Sequence, residues 1–205
     1  MPSSLGREIL ALTLEHLVLV LISMSVAIAI GLPLGILITR RTVERRWVLG
    51  FASVMQTVPS LALFGFLIPV PFIGGIGPRT AIVALVLYAL LPILRNTLAG
   101  ILGVDPAVRE SAVAMGMTPA QLLRQVELPL ASRTILAGIR VATVTTIDTA
   151  TIAAFIGGGG LGVFILRGAA TVDSTQILAG AIPAACIALL ADGGLGWVER
   201  KLSAA

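Results

Sequence analysis

The sequence predicts an all-α integral membrane protein with five spans, and three observations carry that reading. Of 205 residues, 57% are hydrophobic and 12% charged, about half the charged share of a soluble domain. The apolar runs reach about 20 residues, enough to cross a hydrocarbon core of roughly 30 Å, and mean hydropathy is +1.05. Those runs are apolar all round rather than alternating, which selects helices over a β-barrel.

The first span is placed at 12–39, where Gly31, Pro33 and Gly35 (GLPLG) are expected to break it. Glu15 and His16, near its start, are read as interfacial anchors rather than a proton relay. The second span, 47–70, carries Pro59 flanked by Gln56, Thr57 and Ser60. Polar groups at membrane depth are expected to face a bundle interior or a wet path. The third span, 79–100, contains Pro92, expected to kink it.

The polar stretch 105–129, DPAVRESAVAMGMTPAQLLRQVELP, lies between two lipid-soluble runs. Asp105-Pro106 reads as an N-cap followed by proline at the first helical position. Gly116 sits where a helix should stop in the left-handed conformation. Thr118-Pro119 opens a second short helix, with Gln121 completing a capping box, and Leu128-Pro129 is expected to close it. Two short helices around a glycine elbow are suited to docking a partner.

The fourth span, 133–156, places Thr145, Asp148 and Thr149 on one stripe at 100° per residue. Asp148 lies about 22 Å along the helix from Arg133 at 1.5 Å per residue. A carboxylate at that depth costs about 2.5–3.5 kcal/mol on insertion scales, so it needs a wet or paired setting. Gly157, Gly158, Gly159 and Gly160 follow (FIGGGGLG), a run that cannot hold a helix and is read as an external gate or hinge. Arg140 is expected to snorkel or find a partner inside the bundle. The last span, 176–197, holds the only cysteine, Cys186, and Asp192, expected to pair locally with basic groups.

Charge sets the topology. Arg40, Arg41, Arg45, Arg46, Arg95, Arg109, Arg124, Arg133, Arg200 and Lys201 fall on one side, against Arg7, Arg79 and Arg167 on the other. The positive-inside rule then places the N-terminus outside and the C-terminus and elbow in the cytoplasm. This distribution accounts for the net charge of +4 without invoking nucleic acid. The first apolar run is too long for a signal-peptide core. The only lysine is Lys201, so no Walker A loop can form. One histidine and one cysteine exclude a metal site built from those residues. Residues 1–205 are read as one membrane domain.

Glu110-Ser111-Ala112, Gly116 and Leu128-Pro129 match the E-A-A…G…L-P loop of ABC importer permeases, with Ser111 in place of alanine. GLPLG, QTVPSLAL, LLPILRNT, AGIR and FIGGGGLG also occur in the order and spacing of one subgroup. The chain therefore resembles the osmoprotectant permeases, for glycine betaine, carnitine or choline, over most of its length. The resemblance implies a methionine-importer-like, type I fold in a bacterial inner membrane. It also implies a cytoplasmic ATPase dimer carrying ATP and Mg, an extracytoplasmic substrate-binding protein, and a second permease copy or paralogue. The chain itself would hold no cofactor and catalyse nothing. Its path for a small zwitterion or cation would run between two copies, lined by Gln56, Pro59, Ser60, Thr145, Asp148 and Thr149. Asp148 departs from the small uncharged residue usual in the subgroup. Within transporters the alternatives are a methionine-type amino-acid permease or one for ergothioneine. Outside them stands a passive channel or scaffold, which leaves the capped elbow unexplained. An intramembrane enzyme would need a nucleophile elbow or a carboxylate dyad, and neither is present.

Overall fold

The computed structural model describes residues 2–203, and no strand occurs among them. Four helices are long and apolar enough to cross a membrane, or five if a helix pair bent by 106° counts as one span.

Helix α1 (Pro2–Thr39) runs unbroken through Pro33, so the expected break at GLPLG does not occur. Pro33 stands on the exposed face of α1, and the two glycines serve the opposite face. A Cβ on Gly31 would lie 3.0 Å from Ile93 Cγ2, and one on Gly35 2.8 Å from Thr97 Cγ2. Small residues let helices approach closely in a membrane, where lipid tails supply no hydrophobic drive for association.

The second span is not the single helix expected at 47–70. It is α2 (Thr42–Thr57) and α3 (Ser60–Leu67), bent by 106°. Val58 and Pro59 are extended, with ψ of 129° and 136°, as the clash of a proline ring with the preceding residue favours. The Val58 carbonyl at the break accepts a hydrogen bond from the Tyr88 hydroxyl. Broken backbone at membrane depth requires such a partner.

Helix α4 (Pro78–Leu102) is the spine, lying between α1 and α7. It passes through Pro92 without interruption, and the Asn96 side chain donates to the Pro92 carbonyl at 2.9 Å. Ala81, Ala84, Leu85 and Ala89 are fully buried along it. The elbow follows as α5 (Pro106–Ala114) and α6 (Pro119–Gln121).

Leu128-Pro129 does not end the second elbow helix. The chain continues through a π-helical segment, Leu122–Glu127, into α7 (Leu128–Ile152). The Leu128 N–H bonds the Leu123 carbonyl, a register of five rather than four. That shift puts Pro129 in the first turn of α7, the part of a helix that tolerates proline best. Gly138 lets α7 cross α4, since a Cβ there would lie 2.4 Å from Asn96 Cβ.

A 3-10 turn, Ala153–Ile156, leads into the glycines, then α8 (Gly162–Thr171) and α9 (Ser174–Ser203). Helix α9 packs on α7, with α8 against its start.

Candidate functional site

The elbow has the local chemistry its residues dictate. Asp105 caps α5 by accepting from Ala107 N–H at 2.8 Å. Gly116 has φ of +82°, and the turn closes through Met117 N–H to the Ala112 carbonyl at 3.2 Å. Thr118 and Gln121 form the reciprocal capping box, at 2.8 Å and 3.3 Å. Glu110 and Ser111 are exposed, whereas Ala112 is buried against the bundle. The Ser111 hydroxyl donates to the Ala107 carbonyl one turn earlier at 2.8 Å. Val108, Val113 and Met115 stand exposed on this otherwise polar hairpin.

Beneath the elbow lies a group that sequence reasoning missed. Glu127, 2% exposed, faces Arg40 at 2.9 Å and Arg109 at 3.0 Å. The spacing of these residues along the chain carries no periodic signal. The one available hint is a charge, Glu127, on the stripe that continues as Ala131, Ile135, Gly138 and Ala142.

Between α7 and α9 runs a groove with two cavities. Toward the glycine turn, a cavity of about 210 Å³ is lined by Ile147, Asp148, Thr151 and Ile165, with Ala181, Ala184, Ala185 and Ala188 as its far wall. Toward the elbow, one of about 390 Å³ is lined by Ala137, Arg140, Val141, Val144, Thr145, Asp192 and Glu199. Asp148 and Thr145 are exposed on α7. Thr145 spends its hydroxyl on the Val141 carbonyl at 2.9 Å, and Thr149 is half-buried. Gln56 and Pro59 are exposed, and Ser60 half-buried, at the α2–α3 break. They line neither cavity, and neither does Thr149.

Arg140 does not snorkel. It holds Asp192 through two bonds of 2.6 and 2.7 Å and reaches Glu199 at 3.3 Å. Gly196 makes room, since a Cβ there would lie 3.0 Å from the guanidinium. A bidentate pair of this kind satisfies an arginine at membrane depth and ties α9 to α7.

The glycine run forms a clamped turn. Gly157, Gly159 and Gly160 have φ of +70°, +81° and +76°. Glu15 accepts from Gly160 N–H at 3.1 Å, and Gly77 N–H donates to the Ile156 carbonyl at 2.8 Å. Buried His16 fills the space where a Gly160 Cβ would go, 3.1 Å from Nδ1. Gly160→Ala is therefore expected to cost about 1–2 kcal/mol from the left-handed backbone alone, with the His16 contact added. A lowered thermal unfolding midpoint in detergent checks this. Gly50→Ala, in α2 with open space around it, serves as the neutral-to-stabilising control.

At the same end Arg167 pairs with Glu8 at 2.5 Å. Asp173 precedes α9 and accepts from its first turn, and hydrogen bonds from Gln176, side chain first and then backbone, hold its carboxyl below the usual range.

The family model described as binding-protein-dependent transport system inner membrane component matches residues 31–204. The chain is 49% identical over 174 residues to the glycine betaine/carnitine/choline transport system permease protein OpuCD of Bacillus subtilis (strain 168), covering 84% of this chain and 75% of that one. It is 44% identical over 200 residues to the choline transport system permease protein OpuBB of the same organism, covering 98% and 91%. Its fold matches an inward-facing structure of the MetNI methionine ABC transporter with a TM-score of 0.82 and 24% identity, over 97% of this chain and 95% of that one.

Proposed function

The chain belongs to the binding-protein-dependent transport system inner membrane component family, and from that premise we propose that it is the permease subunit of an ATP-driven importer of osmoprotectants such as glycine betaine, carnitine or choline. It is a multi-pass membrane protein and a translocation component, not an enzyme. The observation that carries the reading is the elbow, a capped polar hairpin with exposed Val108, Val113 and Met115 on an apolar bundle. A passive channel has no use for such a lever. Relatives named for quaternary ammonium compounds at 44–49% identity support the substrate class over an amino acid.

In this reading the whole chain is one membrane unit, with its N-terminus outside and its elbow and C-terminus in the cytoplasm. The elbow docks on a dimer of ABC ATPases, which holds ATP and Mg. A secreted binding protein delivers substrate at the glycine-turn end, where Gly157 to Gly160 gate entry. A second permease copy or paralogue brings the α2–α3 break opposite the α7 groove, completing a path from two half-sites. Binding-protein docking and ATP engagement favour the same conformation, which is what couples them.

The test is reconstitution in liposomes with the ATPase and binding protein. The chain alone is expected to hydrolyse no ATP, and the full assembly to take up labelled glycine betaine, carnitine or choline but not methionine. ATP turnover by the pure chain, or uptake of methionine alone, would overturn the reading.

A further inference from the structure

Glu127 occupies a position where the fold asks for an apolar residue. It continues the buried face of α7 that runs through Ala131, Ile135, Gly138 and Ala142, and its side chain is 2% exposed. A carboxylate in such a place is costly unless paired. Its two oxygens meet two arginines from different parts of the chain. Oε2 accepts from Arg40 Nη2 at 2.9 Å, at the joint between α1 and α2, and Oε1 lies 3.0 Å from Arg109 Nε, on α5. Arg109 also donates to the Ile101 carbonyl in the last turn of α4. One carboxylate thus ties together the ends of α1 and α4, the elbow helix and the π segment.

The two arms differ in burial. The Arg109 side chain is 26% exposed and its guanidinium lies between Glu127 and the Ile101 carbonyl, whereas Arg40 is 57% exposed. Displacement of α5 carries Arg109 with it, and Arg109 meets the same buried carboxylate that Arg40 meets from the α1–α2 joint. The π segment that carries Glu127 is itself a register defect in an otherwise α-helical rod, a form of backbone that recurs at functional positions.

We propose that Glu127 is a positioning residue for coupling: it transmits displacement of the elbow to α1 and α4 through Arg109 and Arg40. The proposal rests on the elbow docking an ATPase, as set out above. No other carboxylate among the described residues pairs with either Arg109 or Arg40.

The experiment uses the complete transporter in liposomes and reads ATP turnover with and without substrate-loaded binding protein. Glu127→Gln keeps the shape and removes the charge. It should lower the stimulation by binding protein at least roughly tenfold, the scale of breaking a buried charge pair, with ATPase subunits still bound in normal ratio. Arg40→Gln, which leaves Glu127 paired with Arg109, should lower stimulation by a smaller factor, and adding it to Glu127→Gln should cost nothing further. Glu110→Lys separates this proposal from the docking reading. If Glu110→Lys abolishes stimulation and both Glu127→Gln and Arg40→Gln retain it, only the positioning role fails. If Glu110→Lys retains it as well, the docking reading fails. Loss of ATPase subunits from the purified Glu127→Gln complex, with stimulation normal in Arg40→Gln, would make Glu127 an assembly residue and overturn the proposal.

Discussion

Gly116→Val and Glu110→Lys are expected to reduce uptake to background while the protein still accumulates in the membrane. Gly116 has φ of +82° and is exposed, and an added Cβ meets nothing within 4 Å. The penalty for valine is therefore backbone strain confined to the elbow, since a β-branched residue is an outlier at positive φ. It is relieved by re-angling α5 against α6, and a re-angled lever no longer presents Val108, Val113 and Met115 together. Glu110 is exposed and makes no ion pair among the described residues, so reversing its charge leaves folding intact and acts on the docked partner alone. Gly116→Asn is the internal control, because asparagine tolerates the left-handed region, and it should keep most of the uptake. Transport assayed beside membrane protein levels checks the set. Wild-type uptake in both Gly116→Val and Glu110→Lys would remove the elbow from the mechanism.

The contrast between the elbow and what lies under it shows which parts of this protein the sequence could report. Asp105, Gly116, Thr118 and Gln121 were legible because each acts within four residues of itself, through a cap or a required φ. Pro59 was legible as a break, but not as a 106° turn, and the carbonyl freed at the break finds its partner in Tyr88, thirty residues from Val58. Pro33 and Pro129 misled for one shared reason. A proline ends a helix only if its lost bond and its ring have nowhere to go. Pro33 turns its ring outward from the bundle, and Pro129 is absorbed by a π register that no sequence pattern signals. The pairing of Asp192 was expected, but its partner Arg140 lies 52 positions earlier. Glu127 was passed over because Arg40 is 87 positions away, and a lone charge in a capped polar stretch reads as solvated surface.

The second large effect is expected at Asp148, where a carboxylate borders the cavity of about 210 Å³ between α7 and α9. No hydrogen bond or ion pair to this carboxylate forms among the described residues, and the facing wall is alanine. An unpaired charge at this depth is favourable only if water or a cation reaches it, and on that ground we propose that it faces the wet side of the groove. A net cation gains attraction from such a group, whereas the carboxylate of a zwitterion cancels part of it. At an effective dielectric of about 20 the attraction over 4 Å is roughly 4 kcal/mol, so a residual difference of one third of that suffices for a factor of about ten. Asp148→Asn, which keeps size and shape, should therefore lower choline uptake about tenfold more than glycine betaine uptake. Paired uptake rates from the same proteoliposomes give the ratio directly, independent of how much protein inserts. If Asp148 only supports packing, the asparagine variant lowers both rates together and the ratio stays put. Asp148→Cys supplies the second readout: labelling by water-soluble thiol reagents in either the resting or the ATP-driven state is required of a path-facing position, and resistance in both states would remove Asp148 from the path.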